Sequence, residues 1–274
     1  MPRIVLVVHP ERPAAWELAR TATQWWQSRG REVVEVRGAA PETPFPETDD
    51  VEFAVSLGGD GTMLRTVESV LLAGVPVLGV NLGRMGYLTA VEPGGIEQAF
   101  EKMLAGEYLV EERMALDVEL EGSVEGRFMA LNDAIVERTG PGHTIRVGVE
   151  IAGRAFLTYV ADGILVSTPT GSTAYNLSAR GPVVSPKLRA MVLTPVSPHM
   201  PFDRSLVLEP RESVRLTILD DRAAAAVIDG ARVVQLATGD SVLCRAASES
   251  ARLISFGERD FYSALRHRFV LTDR

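Results

Sequence analysis

Phe53-Ala54-Val55-Ser56-Leu57-Gly58-Gly59-Asp60-Gly61-Thr62-Met63-Leu64 decides how this chain is read, because it passes from an apolar run of strand length through a glycine turn into a helix. Met63, Leu64, Val67, Val70 and Leu71 follow at helical spacing, so Gly58, Gly59, Asp60, Gly61 and Thr62 form a strand-to-helix corner. Backbone N–H groups and the helix dipole favour a bound phosphate at such a corner. The glycines are expected to permit positive φ and to let a polyanion approach the backbone closely. Asp60 would repel that polyanion unless a metal or a transferable proton lies between them, which points to phosphoryl transfer. Turn chemistry alone allows a second reading, a tight turn that ends a hairpin.

Outward from this corner, strand and helix patterns alternate. Ile4 to His9 reads as a buried strand, Pro13 to Arg29 as a helix, Glu32 to Val36 as a strand, Val75 to Val80 as another, and Ile96 to Ala105 as a helix; a Pro-rich acidic loop, Glu42 to Asp50, precedes the motif strand. This grammar predicts a parallel sheet with ligands beyond the carboxyl ends of its strands, where His9, Gly58 and Asn81 fall. From Ala115 the period changes to two. The strands expected there include Leu116 to Leu120, Ala130 to Glu137, Ile164 to Ser167, Ser205 to Leu208, Ala225 to Asp229, Ser241 to Arg245 and Arg252 to Phe256. The expected fold is an α/β N-terminal domain with a parallel sheet, residues 1–114, and a β-rich, sandwich-like C-terminal domain, residues 115–257. A last helix, over about 258–274 and with its pattern from Asp260 to Val270, is expected to pack back on the first domain.

Composition narrows the classes. With 274 residues, 46% of them hydrophobic, the chain can bury a substantial core. A net charge of −8 argues against a nucleic-acid binder with a diffuse basic surface, so an anionic substrate must be met locally. Lysine occurs only at Lys102 and Lys187, neither in a P-loop, and no G-x-G-x-x-G opens a helix. The single cysteine, Cys244, excludes an intrachain disulfide and reads as core. No signal peptide or membrane span is expected, and the expected location is the cytoplasm.

A second motif, Thr168-Pro169-Thr170-Gly171-Ser172-Thr173-Ala174-Tyr175-Asn176-Leu177-Ser178, is dense in small hydroxyls. Such groups serve base edges and sugar oxygens without bulk, and Tyr175 adds a ring and an O–H; a helix cap near Ala174 accounts for the same residues. Asn132-Asp133 offers an amide beside a carboxylate, a grip on ribose hydroxyls or simple turn punctuation. The four histidines, His9, His143, His199 and His267, form no zinc pattern; His9 and His143 carry ligand potential or are solvated loop residues. Arg65 stands one turn into the motif helix, near enough to neutralise a phosphate or simply solvated.

These residues resemble the bacterial NAD kinase family over nearly the whole chain. The resemblance rests on Gly58 to Thr62, Asn81 to Thr89, Asn132-Asp133, Asp162-Gly163, Thr168 to Tyr175, Ser197-Pro198-His199 and Asp229-Gly230, in order and spacing. The Gly-Gly-Asp-Gly-Thr turn is shared with lipid kinases, whereas the Thr168 to Tyr175 run is much more specific to NAD kinases. The resemblance implies an NAD kinase/diacylglycerol kinase-like fold whose two domains enclose the dinucleotide, in homodimers or homotetramers. It implies transfer of a phosphoryl group from ATP or polyphosphate to NAD, giving NADP, with Mg²⁺ or another divalent metal whose protein ligands stay unassigned. Carried over, Asp60 is the base at the adenosine 2′-hydroxyl with Gly61 beside it, and Gly58, Gly59, Gly61 and Thr62 form the phosphate loop. Asn132 and Asp133 hold substrate hydroxyls, Asp162 binds the nicotinamide end, and Thr173, Ala174, Tyr175, Asn176, Leu177 and Ser178 line the adenosine pocket; Arg65 and His143 also contact NAD. Three positions depart from the family pattern: Asp133 stands where Glu is more frequent, Arg180 at the middle Gly of the usual Ser-Ala-Gly-Gly-Pro, and Ala231 where Gln is common. The rivals are a lipid kinase and a dinucleotide-sensing protein without turnover.

Overall fold

A computed structural model describes residues 2–38, 45–83, 86–140, 142–257 and 261–269. Arg84 and Met85 of the Asn81 to Thr89 motif, residues 42–44 of the acidic loop, and the ends of the last expected helix, Asp260 and Val270, lie outside the described residues. The chain forms two compact units, Met1–Glu112 with Ala251–Arg274, and Arg113–Ser250.

In the first unit, β1 (Arg3–Val8), α1 (Pro13–Gln27), β2 (Glu32–Arg37), β3 (Val51–Gly58), α2 (Asp60–Val70), β4 (Val77–Asn81) and α3 (Ile96–Ala105) follow one another. The strands lie parallel in the order β2-β1-β3-β4, and Ile4 to Val8 are buried on both faces, as central parallel strands are. Helix α1 turns Ala15, Ala19, Ala22 and Trp26 inward at helical spacing, and Trp26 packs on Phe100 of α3 with ring centroids 4.9 Å apart. The carboxyl ends of β1, β3 and β4 bring His9, Gly58 and Asn81 to one edge of this sheet.

In the second unit two sheets enclose one core. The strands are β5 (Leu109–Glu121), β6 (Gly126–Ala130), β7 (Asp133–Arg138), β8 (Ile145–Ile151), β9 (Arg154–Ala161), β10 (Gly163–Ser167), β11 (Met191–Val196), β12 (Leu206–Leu208), β13 (Val214–Ile218), β14 (Ala224–Ile228), β15 (Arg232–Leu236) and β16 (Ser241–Ser255), with the single-turn helix α4 (Tyr175–Ser178) after β10. One sheet runs β12-β11-β10-β7-β14-β15; β5, β6, β8, β9, β13 and the start of β16 form the other. Val118, Val147 and Leu216 from one meet Val136, Val166 and Leu193 from the other, the alternation of a sandwich. Helix α5 (Phe261–Arg268) returns to the first unit, where Leu253 of β16 lies beside Val77.

Four strand expectations are corrected. Ala130 to Glu137 is two strands broken at Leu131-Asn132, because Asp229 takes three successive backbone N–H groups there. Asp229 itself leaves β14 for a turn at φ +48°. Strand β11 was not among the expected strands; it contains Pro195, and β12 pairs only with Met191 to Leu193, so proline's missing donor falls where that neighbour has ended. Ser241 to Ser255 is one strand, not two, with Arg245, Ser248 and Glu249 exposed between its buried stretches. Among the described residues no helix is long and apolar enough to cross a membrane.

Candidate active site

Asp60 is the first residue of α2, after the N-cap Gly59, whose carbonyl accepts the Met63 N–H at 3.0 Å. Its half-buried carboxylate accepts the backbone N–H of Tyr87 at 3.1 Å and of Leu88 at 3.3 Å. A Cβ at Gly86 would come within 1.9 Å of Asp60 Oδ1, so only glycine fits beside this acid. The loop is tied back to the motif, since Leu82 N–H donates to Gly58 O at 2.8 Å and Asn81 closes a turn on Gly83. Tyr87 is held in turn by α5: its ring lies 6.3 Å from that of Phe261, and the Arg268 guanidinium sits over it at 5.5 Å. Burial pushes the Tyr87 phenol up, and Arg268 opposes the rise.

The glycines act differently from the sequence expectation: none of Gly58, Gly59 or Gly61 takes positive φ. Gly58 is required by contact, because a Cβ there would come within 2.1 Å of Thr62 Oγ1. Cβ atoms at Gly59 and Gly61 would meet nothing within 4 Å, leaving open backbone at the helix start. Arg65 is engaged by Glu68 at 2.9 Å, and His9 Nδ1 accepts the Glu11 N–H at 3.3 Å, a local turn contact.

In the second unit, Asp133 begins β7 and is 5% exposed. Burial, and next the charge of Asp229, push its carboxyl up to about 7, while the backbone N–H of Tyr175 pulls it down. The Tyr175 phenol is raised by burial first and then by Glu137, with which it hydrogen bonds, and by Asp162 and Asp133. Glu137 was missed by sequence reasoning; its period-two spacing from Asp133 on β7, with Ile135 between, was the available signal. Glu137, Asp162 and Asp133 thus act on the Tyr175 hydroxyl, and Asp229 on Asp133. Such acceptors suit hydroxyl donors, not bare phosphates.

Thr168 to Ser178 turns most of its hydroxyls inward. Thr168 Oγ1 donates to Leu131 O at 2.6 Å, and Ser172 Oγ bridges Pro169 and Val184. Thr173 Oγ1 donates to Thr170 O at 3.3 Å. Asn176 is fully buried, donating to Ser172 O and Pro182 O and accepting from Thr194 Oγ1 at 2.7 Å, so its side chain braces the loop. Ala174 and Leu177 are half-buried, while Tyr175 and Ser178 are exposed and remain available to a ligand. Asp162 accepts from Arg138 Nε at 2.7 Å. It lines a cavity of about 490 Å³ with Arg138, His143, Thr144, His199 and Arg222, a basic wall on an acidic chain. Arg138 carried no signal in the sequence, since only the strand pairing brings it to Asp162.

Residues 4–108 match the ATP-NAD kinase N-terminal domain, and residues 131–256 match the ATP-NAD kinase C-terminal domain. An NAD kinase of Heliobacterium modesticaldum is 42% identical over 283 residues, with 98% of each chain covered. An NAD kinase of Moorella thermoacetica is 38% identical over 277 residues, with 98% of this chain and 89% of that one covered. The chain belongs to the NAD kinase family. Its fold is also that of yeast NADH kinase complexed with NADH, with a TM-score of 0.87 at 24% identity over 100% of this chain and 89% of that one. An NAD kinase from Archaeoglobus fulgidus in complex with ATP gives a TM-score of 0.79 at 25% identity, covering 96% of this chain and 98% of that one.

Within the NAD kinase pattern, the departure at Arg180 has a visible cost. Arg180 takes φ +63°, the left-handed position that ends α4, with Gly181 N–H donating to Asn176 O at 2.8 Å and Arg180 N–H to Leu177 O at 3.0 Å. Glycine is the usual residue there. Ala231 is exposed in the β14–β15 hairpin.

Proposed function

We propose that this member of the NAD kinase family transfers the terminal phosphoryl group of ATP, or of another polyphosphate, to the 2′-hydroxyl of the NAD adenosine ribose, forming NADP. The observation that carries this reading is the carboxylate of Asp60, fixed by two backbone N–H groups at the start of α2 beside the open backbone of Gly59 and Gly61. Asp60 takes the proton of the 2′-hydroxyl as the O–P bond forms, and the bond from the transferred phosphorus to the donor's bridging oxygen breaks. General-base help of this kind contributes typically ~10²–10⁴ in rate, and positioning supplies much of the rest.

Asn132 and Asp133 hold hydroxyls of the dinucleotide. Protonated Asp133 can donate as well as accept, which its rise to about 7 favours near neutral pH. Asp162, oriented by Arg138, takes the nicotinamide end beside His143, and Tyr175 and Ser178 contact the adenosine. Among the described residues no group of three or more His, Cys, Asp or Glu side chains could cage a metal. Mg²⁺ or another divalent cation would therefore be held by Asp60 together with the donor's own phosphates, as at other kinase sites, and would supply charge neutralisation. The protein is assigned to the cytoplasm as a homodimer or homotetramer, with the expected dinucleotide-binding domain, residues 115–257, cut back to the unit that ends at Ser250; neither nucleic acid nor a membrane is a partner.

Formation of NADP from NAD and ATP, followed with an NADP-dependent dehydrogenase, tests the reading. NAD lacking the adenosine 2′-hydroxyl should bind without reacting. Transfer to diacylglycerol with none to NAD would overturn it in favour of a lipid kinase.

A further inference from the structure

Asp229 occupies the first corner of the β14–β15 hairpin at φ +48°, followed by Gly230 at +68°, and Ala231 N–H closes the turn on Ile228 O at 3.1 Å. Two successive left-handed residues make a primed turn, and aspartate is among the few side chains tolerated in it. Its carboxylate leaves the hairpin entirely. Oδ2 accepts the Leu131 N–H at 2.8 Å, and Oδ1 accepts the N–H groups of Asn132 at 2.8 Å and Asp133 at 3.0 Å. Asp229 N–H returns a bond to Asp133 O at 2.9 Å.

Three successive amides converging on one carboxylate form an anion nest filled by the protein itself. The carbonyls of the same turn are engaged by Thr168, whose Oγ1 donates to Leu131 O at 2.6 Å and whose N–H donates to Asn132 O at 2.8 Å. Leu131 and Asp133 are buried, so their amides have little water to fall back on. The bend that separates β6 from β7, and with it the direction in which Asn132 and Asp133 leave the backbone, is therefore fixed by a residue about a hundred positions away.

We propose that Asp229 is the positioning residue for Asn132-Asp133, holding the turn that aims both side chains at the hydroxyls of the dinucleotide. This rests on the reading of that pair as a substrate contact. The charge of Asp229 also acts on Asp133, after burial as the larger cause. The titratable groups facing Asp133 are Asp229 from the hairpin and Tyr175 from α4; its partner on β10, Ser167, does not titrate.

Steady-state kinetics and melting curves of Asp229→Ala and Asp229→Asn, with Asp133→Ala beside them, test the inference. Asp229→Ala strands three amides and should raise the KM for NAD about tenfold or more. Asp229→Asn keeps an acceptor and tolerates the left-handed corner but loses the charge. It should hold KM within about threefold while moving the pH midpoint of kcat/KM that belongs to Asp133 downward. That shift should vanish in Asp133→Ala/Asp229→Asn. A purely structural Asp229 would lower Tm with KM unchanged, which overturns the inference; should Asp229→Ala fail to fold, Asp229→Gly, which keeps the left-handed corner without the acceptor, is read in the same way. If Asp133→Ala leaves the KM for NAD unchanged, the substrate reading of the pair is what fails. If Asp133→Ala raises KM while both Asp229 variants behave as wild type, only the positioning role falls.

Discussion

Asp60 opens a helix and Asp133 opens a strand, and their surroundings treat a carboxylate in opposite ways. Asp60 is half-exposed, gripped by the amides of Tyr87 and Leu88 at the start of a helix, with oxygen lone pairs left for a reacting proton or a cation. Asp133 is 5% exposed and has a second acid as neighbour. Two backbone amides hold one acid in place and aim it. Burial beside a like charge instead makes the other an acid that shares its proton near neutrality. The first arrangement suits chemistry, and the second suits recognition of hydroxyls.

The sharpest break between the two acids is a loss of turnover against a loss of binding. Asp60→Asn keeps the shape and removes the charge, so kcat should fall by ~10²–10⁴ with dinucleotide binding largely retained. A fall below tenfold, about 1.4 kcal/mol of barrier, refutes its catalytic role. Next comes Gly86→Ala, whose Cβ would press on the Asp60 carboxylate at 1.9 Å. Displacement of that order should cost ~10² in kcat. Gly61→Ala, whose Cβ meets nothing in the protein, should fold at least as stably and raise the KM for ATP. Equal kinetics in the two glycine variants would dissolve this contrast.

Asp133→Ala should weaken NAD binding by roughly 1–3 kcal/mol, read as KM, while Asp133→Glu is tolerated or mildly harmful. An unchanged KM with a lower Tm would reduce Asn132-Asp133 to turn punctuation. The same residue gives a pH effect of definite sign. Its folded value of about 7 lies above the ordinary 3.8, so its contribution to stability is full below about pH 4 and is lost as pH rises through about 7. Asp133→Asn mimics the protonated acid, so its Tm relative to wild type should climb between about pH 4 and pH 7, at ~2–4 °C per kcal/mol. A constant difference breaks the comparison with Asp60. Smallest is Arg180→Gly, which relieves the left-handed strain after α4 and should stabilise by ~1 kcal/mol or less, with kinetics unaltered.

Much of this was legible beforehand because it is local. The Gly-Gly-Asp-Gly corner, the buried run of β1 and the span of α3 follow from composition and period within a dozen residues. Strand β11 was not among the expected strands; its Pro195 argues against an interior strand, and only the shortness of β12 excuses it. The polar side chains of Thr168 to Ser178 could serve a ligand or the fold, and the structure ties Thr168, Ser172 and Asn176 to Leu131, Val184 and Pro182. Residue type tells what a side chain can bond to, not which partner reaches it first.

The sequence by itself determined the alternation of β and α, the change to period two after Ala115 and the acid in its glycine turn, since each rests on short-range sterics and periodicity. Tertiary structure decided that Gly86 makes room for Asp60, that Arg138 holds Asp162, that Asp229 fixes the turn at Asn132, and that burial, and next Asp229, raises Asp133. Hydrogen bonding and electrostatics act over a few ångströms of space, whatever the separation along the chain. Partners 24 to 98 residues apart meet only once the sheets have formed.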